Sequence, residues 1–188
     1  MRTWDVILPA VMVHASAAPK SLAREQVRRA ARDFCDKTRI WREPGSEWAH
    51  QGVTRYEVRA PDGAVLASVP EASLDGGALS PGQDYRVMSG VIVLTDDPRS
   101  ARTLEYIATW MPSLSAKGMP EPILDRWSDA IAHGAVARLM EMPGKTWTSP
   151  EGSAYHDREY RAGIQAALNE DARQGTDQAL TVKPRRFV

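Results

Sequence analysis

The side-chain period of this chain changes twice, and no other feature narrows its fold as much. Over residues 1–45 apolar residues recur at spacings of three and four, over residues 53–112 they alternate, and beyond Pro120 the helical spacing returns. A helix buries a stripe and a strand buries one face. The pattern therefore predicts helices at both ends of the chain with an antiparallel sheet inserted between them.

In the first block Trp4, Ile7, Leu8, Val11 and Met12 mark one face of a short helix that contains Pro9. Residues 19–41 then carry Val27, Ala30, Ala31, Phe34, Cys35 and Thr38 on one stripe and Arg24, Arg28 and Arg32 on another. This predicts an amphipathic helix begun at Pro19 or Ser21 and stopped before the breaker pair Pro44-Gly45. In the last block Ile123, Leu124, Trp127, Ile131, Ala135, Leu139 and Met142 trace a stripe that ends at Pro143-Gly144. A further helix starts with Ser149 as N-cap ahead of Pro150 and Glu151, carries Tyr160, Ile164 and Ala167, and is expected to end near Gly175. Residues 180–188 have no periodicity and read as an extended arm.

The middle block holds short strands over residues 53–59, 65–69, 85–88, 91–95 and 103–110. They are separated by Pro61-Asp62-Gly63, Asp75-Gly76-Gly77, Ser80-Pro81-Gly82, Ser89-Gly90 and Asp96-Asp97-Pro98, all turn-forming combinations. The expected fold is a mainly α chain with an inserted small antiparallel β-sheet, an α+β arrangement within a single domain. Its parts are a helical bundle from residues 1–45 and 119–176, a β insertion over 50–113 and a C-terminal arm over 177–188.

Size and charge narrow the function. A chain of 188 residues buries enough surface, roughly 70% of what it exposes unfolded, to need no disulfide or metal for stability. A lone Cys35, on the apolar stripe of its helix, gives no disulfide framework and no cysteine-rich zinc site. With 24 basic and 24 acidic residues the net charge is zero, which argues against bulk-charge binding of nucleic acid. The longest early apolar run, residues 6–13, is too short to span a membrane and lacks the basic start of a signal peptide, so the expected setting is a reducing cytoplasm.

Catalytic patterns are sparse. His14, His50, His133 and His156 share no i, i+4 spacing and read as ordinary surface or capping histidines. Gly144-Lys145-Thr146 imitates the end of a phosphate-binding loop, but Leu139 stands where the first glycine is needed and a helix precedes it where a strand is required. Asp96-Asp97 before Pro98 is a turn before it is a carboxylate pair. Neither a cofactor nor a metal is expected. The arginine stripe Arg24, Arg28 and Arg32 reads as a solvated or partner-facing surface, with Glu25, Asp33 and Asp36 on the same helix able to pair with it. Of six tryptophans, Trp41, Trp110 and Trp127 are expected to close the junction of sheet and helices, whereas Trp4 and Trp48 are candidates for subunit contacts.

The order of segments resembles a known family. The opening Val6-Ile7-Leu8-Pro9, the helix Val27-Arg28-Arg29-Ala30-Ala31-Arg32-Asp33-Phe34-Cys35 and its sequel Thr38-Arg39-Ile40-Trp41-Arg42-Glu43 are similar to the start of bacteriophage head-to-tail adaptor proteins, among them the tail tubular protein A type. The second half is similar through Leu124-Asp125-Arg126-Trp127, Met142-Pro143-Gly144-Lys145-Thr146-Trp147 and the ending Val182-Lys183-Pro184-Arg185-Arg186-Phe187. The resemblance implies a non-enzymatic structural protein of the virion neck, assembled in the host cytoplasm as a dodecameric ring below the portal and continuing the DNA channel towards the tail. Its implied partners are further copies of itself, the portal protein, downstream neck or tail proteins, and DNA that passes without sequence-specific contact; no membrane is involved. The arm residues Lys183, Arg185, Arg186 and Phe187 would engage the portal. Arg24, Arg28, Arg32, Trp4 and Trp48 would serve subunit or channel contacts. Two alternatives stand beside it: another neck ring, such as a stopper or terminator, and a small metal-dependent hydrolase using Asp96, Asp97 and a histidine.

Overall fold

The computed structural model describes residues 1–172. A short strand β1, Arg2–Thr3, and a 3-10 turn, Trp4–Val6, lead into helix α1, Leu8–His14, with Pro9 in the first turn, where its missing N–H costs nothing. Helix α2, Lys20–Thr38, buries Val27, Ala30, Ala31, Phe34 and Cys35. It stops at Arg39, a left-handed residue with φ 52° whose N–H donates to the Cys35 carbonyl at 2.8 Å. Eight further strands follow: β2 (Arg42–Ala49), β3 (Arg55–Glu57), β4 (Ala64–Leu74), β5 (Gly77–Leu79), β6 (Tyr85–Met88), β7 (Val91–Leu94), β8 (Arg102–Pro112) and β9 (Gly118–Met119). Helices α3, Glu121–Met140, and α4, Pro150–Ala172, complete the described chain.

All strand pairs are antiparallel. A four-stranded sheet has the order β2-β8-β4-β5, a three-stranded sheet the order β3-β7-β6, and β1 pairs with β9. Two hairpins follow directly from turn chemistry. Asp75-Gly76 between β4 and β5 and Ser89-Gly90 between β6 and β7 both have positive φ at each central residue, the arrangement that matches strand twist. Strand β4 is irregular, with register shifts around Ser68 and before Glu71 where Pro70 interrupts the ladder.

The expected mainly α chain is overturned. Among the described residues 42% are helical and 28% are in strands, in three antiparallel sheets, so the fold is a mixed α+β one. The main cause is β2, which runs through Pro44-Gly45 and begins at Arg42, ahead of the expected insertion at residue 50. Pro44 is tolerated because β2 is an edge strand. Gly45 is needed because the ring of its partner Tyr106 occupies the space a Cβ would take. The expected helix end near Gly175 and the arm over residues 177–188 lie outside the described residues.

The helices meet through one aromatic residue. Tyr160 of α4 lies over Gly134 of α3, where an added Cβ would sit 2.7 Å from the Tyr160 ring. Its hydroxyl lies 3.0 Å from the Ala30 carbonyl and 2.8 Å from Asp33 Oδ2, both on α2, so a single side chain ties three helices together. Burial, and then the Asp33 carboxylate, push the Tyr160 phenol well up, so it stays protonated as a donor. Burial would raise Asp33 as well, but hydrogen bonds from Lys37 and Tyr160 and the charges of Lys37 and Arg138 prevail and hold its carboxyl below the ordinary value. Phe34 and Trp127 pack beside this junction with centroids 5.6 Å apart. On the other side α2 packs against β8, whose Ala108 and Trp110 are buried.

A second close approach lies further along the same helix pair, where a Cβ on Gly163 would stand 2.5 Å from the Ala130 Cβ. Gly163→Leu should force α3 and α4 apart and cost roughly 1–3 kcal/mol, read as a lower melting temperature or denaturant midpoint. An exposed control such as Glu151→Gln should stay within about 0.5 kcal/mol of the parent.

Candidate functional site

The arginine stripe is largely spent within the chain. Arg24 Nε donates to Asp5 Oδ1 at 3.1 Å, which holds α2 against the turn before α1. Arg28 pairs with Glu25 one turn earlier, and Arg29 Nε donates to the same carboxylate at 2.8 Å. Arg32 Nη1 donates to the Pro112 carbonyl at 2.8 Å, tying α2 to the end of β8. Arg24 remains half exposed, whereas Arg32 is a part-buried structural contact.

The two tryptophans expected at subunit contacts part company. Trp4 is 1% exposed and its Nε1 donates to the Ala116 carbonyl at 2.8 Å, so it belongs to the core and its assignment to a contact is corrected. The signal was present in the sequence, since Trp4 heads the same apolar stripe as Ile7 and Val11. Trp48 is 66% exposed, on edge strand β2. Strand alternation sets it on the face that also carries Pro44 and Ser46, away from the helices. The portal-arm residues Lys183, Arg185, Arg186 and Phe187 lie outside the described residues.

That outer face of the four-stranded sheet forms a concavity of about 720 Å³, with Pro44, Ser46, Glu71, Ser73, Glu105 and Ile107 among its lining residues. Glu71 and Glu105 are exposed and have no ion-pair partner among the described residues; Glu105 accepts only a long hydrogen bond, 3.4 Å, from Ser73 Oγ. The other end of β2 is pinned to α4 by Arg42 Nη2 and Asp171 Oδ2, 2.8 Å apart.

Three of the four histidines, which share no helical spacing in sequence, converge in space. His14 ends α1, His133 lies on α3 and His156 on α4; His133 Nδ1 and His156 Nδ1 are 2.7 Å apart, one donating and the other accepting. The His14 ring meets that of His156 edge-on at 4.6 Å, and Asp129 joins these three in lining a pocket of about 140 Å³. Tyr155 packs edge-on against both His133 and His156. His156 is 3% exposed, and burial, followed by the neighbouring His14 and His133, brings its pKa down to about 4. An i, i+4 search within one helix cannot find a trio drawn from three helices. Extending the α4 stripe back one turn from Tyr160, however, lands on His156.

Other candidates resolve into structure. Cys35 is buried, and burial together with Asp36 pushes its thiol up to about 12, so it is an unreactive core residue. Gly144-Lys145-Thr146 lies in the loop between α3 and α4. Asp96 and Asp97 are exposed in the loop after β7. Among the described residues no group of three His, Cys, Asp or Glu side chains has the geometry to hold a metal ion, and no helix is long and apolar enough to cross a membrane.

The histidine trio makes stability sensitive to acid. His156 is neutral in the fold and protonates near its ordinary value of about 6.5 once unfolded, so the unfolded chain binds more protons between that value and about 4. Its contribution is fully present above the ordinary value and is lost as the pH falls towards about 4. Thermal melts across this range should fall steeply for the parent chain. The slope should flatten in His156→Gln, against the facing groups His14 of α1, Asp129 and His133 of α3, and Tyr155 and Glu159 of α4. In comparisons with known proteins, neither a family model nor a curated protein matches this chain.

Proposed function

We infer that this chain is a non-enzymatic ring component of a phage neck, joining head to tail and continuing the channel through which DNA passes. The observation that carries this reading is the exposed β2 edge, unpartnered among the described residues, with Trp48 on its surface, set on a helical frame and followed in sequence by the basic segment Lys183-Pro184-Arg185-Arg186. Exposed aromatics on edge strands are where repeated copies join, and a heterologous contact that closes on itself makes a ring. The helix–sheet–helix order that carries the sequence resemblance is retained, with a larger β portion than the resemblance implies. A neutral chain whose helix α2 arginines are paired internally suits a wall past which DNA must slide without sticking. The same pairing weighs against a version in which α2 grips DNA. A stopper or terminator ring is the second reading, favoured by the 28% of described residues in strands.

Sedimentation of the purified chain with and without its candidate portal, followed by electron microscopy, tests the reading. Rings, free or stacked coaxially on the portal, are the expected result, and a monomer that ignores an assembled portal would overturn it. Trp48→Glu should block ring formation while changing the stability of the subunit by no more than about 0.5 kcal/mol, because the side chain is exposed. Arg185→Glu combined with Arg186→Glu should weaken portal capture in a pull-down; undiminished capture would remove the arm from the interface.

A further inference from the structure

The outer face of the β2-β8-β4-β5 sheet combines three properties that a bare solvent face does not need. It is concave, about 720 Å³, it presents apolar surface from Trp48, Pro44 and Ile107, and it carries the carboxylates Glu71 and Glu105 without cationic partners among the described residues. Helix α2 covers the opposite side of β8, so no helix among the described residues covers this face. A groove of this composition fits an extended peptide that combines basic and apolar side chains.

The chain supplies such a peptide at the right place. Helix α4 brings Asp171 onto Arg42 at the start of β2, so the chain leaves α4 beside the groove. Residues 173–179 can span up to about 25 Å when extended. The floor of the groove at Ser46 lies four residues along β2 from Arg42, or about 13 Å. The next residues, Leu180-Thr181-Val182-Lys183-Pro184-Arg185-Arg186-Phe187, bring three cations, two aliphatic side chains and an aromatic ring.

We propose that this outer sheet face is the docking site of the chain's own C-terminal segment, residues 180–187, with Lys183, Arg185 and Arg186 set against Glu71 and Glu105 and Phe187 on the apolar floor. The docked segment covers apolar surface that the free subunit would otherwise expose, and a partner that captures the arm must first compete it away. The proposal stands apart from the neck reading, since it concerns the free chain and needs no portal.

Zero-length carbodiimide cross-linking of the full chain tests it, using an equal mixture of unlabelled and nitrogen-15-labelled protein with mass spectrometry of the products. The expected product joins Lys183 to Glu105 or Glu71 within one chain, with no mixed-isotope peptides. Arg185→Gln with Arg186→Gln, which leaves every cross-linking group in place and adds no carboxylate beside Lys183, should cut its yield by roughly three- to tenfold with an unchanged melt, as removing two ion pairs would. Mixed-isotope products would assign the face to a second copy and overturn same-chain docking. Lys183 linked elsewhere or nowhere, with residues 180–187 exchanging amide hydrogens at the rate of a free peptide, would also overturn it. So would protection of the sheet face that appears only when portal is added.

Discussion

Strand β8 is where the two layers of the molecule are joined. It pairs with all eight residues of β2 on one side and with β4 on the other, and its inner face sets Ala108 and Trp110 against α2. The backbone N–H of Trp110 donates to the Trp41 carbonyl, and the Pro112 carbonyl at the end of the strand accepts from Arg32. Just beyond it, the Ala116 carbonyl accepts from the Trp4 indole, and Gly118 in β9 pairs with Thr3 so closely that a Cβ there would meet the Arg2 backbone. The start of the chain, helix α2 and both neighbouring strands therefore take their positions from one stretch of backbone. A chain with this arrangement cannot be treated as a helical bundle carrying a detachable sheet.

The charges of α2 illustrate how a surface that looks available in sequence is committed in three dimensions. Exposed ion pairs contribute about 0–1 kcal/mol each, so the pairs of Arg24 and Arg29 do little for stability, but they orient the side chains and lower the net field presented to a polyanion. Arg32 is different, because it satisfies a backbone carbonyl at the end of a central strand. The open carboxylates Glu71 and Glu105 lie across β8 from this helix, on the outer face of the sheet. This separation, with engaged arginines on α2 and open carboxylates on the sheet, gives the chain a polarity that its zero net charge conceals.

Two buried polar side chains of α4 have specific partners inside the helical layer. Tyr160 holds α2, α3 and α4 in register through a phenol that stays protonated, and His156, one turn earlier on the same stripe, stays neutral beside His133 and His14. Both sit where an apolar residue would satisfy the helical pattern. The cost of burying them is offset by hydrogen bonds whose geometry only one packing of the helices provides, so they specify that packing.

Local chemistry determined a good deal of this fold from the sequence alone. The stripes of α2, α3 and α4, the Ser149 cap whose Oγ accepts from Gly152, and the Asp75-Gly76 and Ser89-Gly90 turns depend on neighbours within a few residues, and each is readable for that reason. Strand β2 was not readable, because the presence of Pro44 and Gly45 inside a strand depends on an edge position and on the Tyr106 ring across the ladder. The left-handed Arg39 that ends α2 was equally hidden, since a non-glycine residue there offers no local sign. The hydrogen bond from the Trp4 indole to Ala116, the meeting of three histidines from three helices and the internal engagement of the arginine stripe all required partners more than ten residues away in sequence, apart from the Glu25 pairs. Those contacts are set by which elements pack together, and only the tertiary structure decides that.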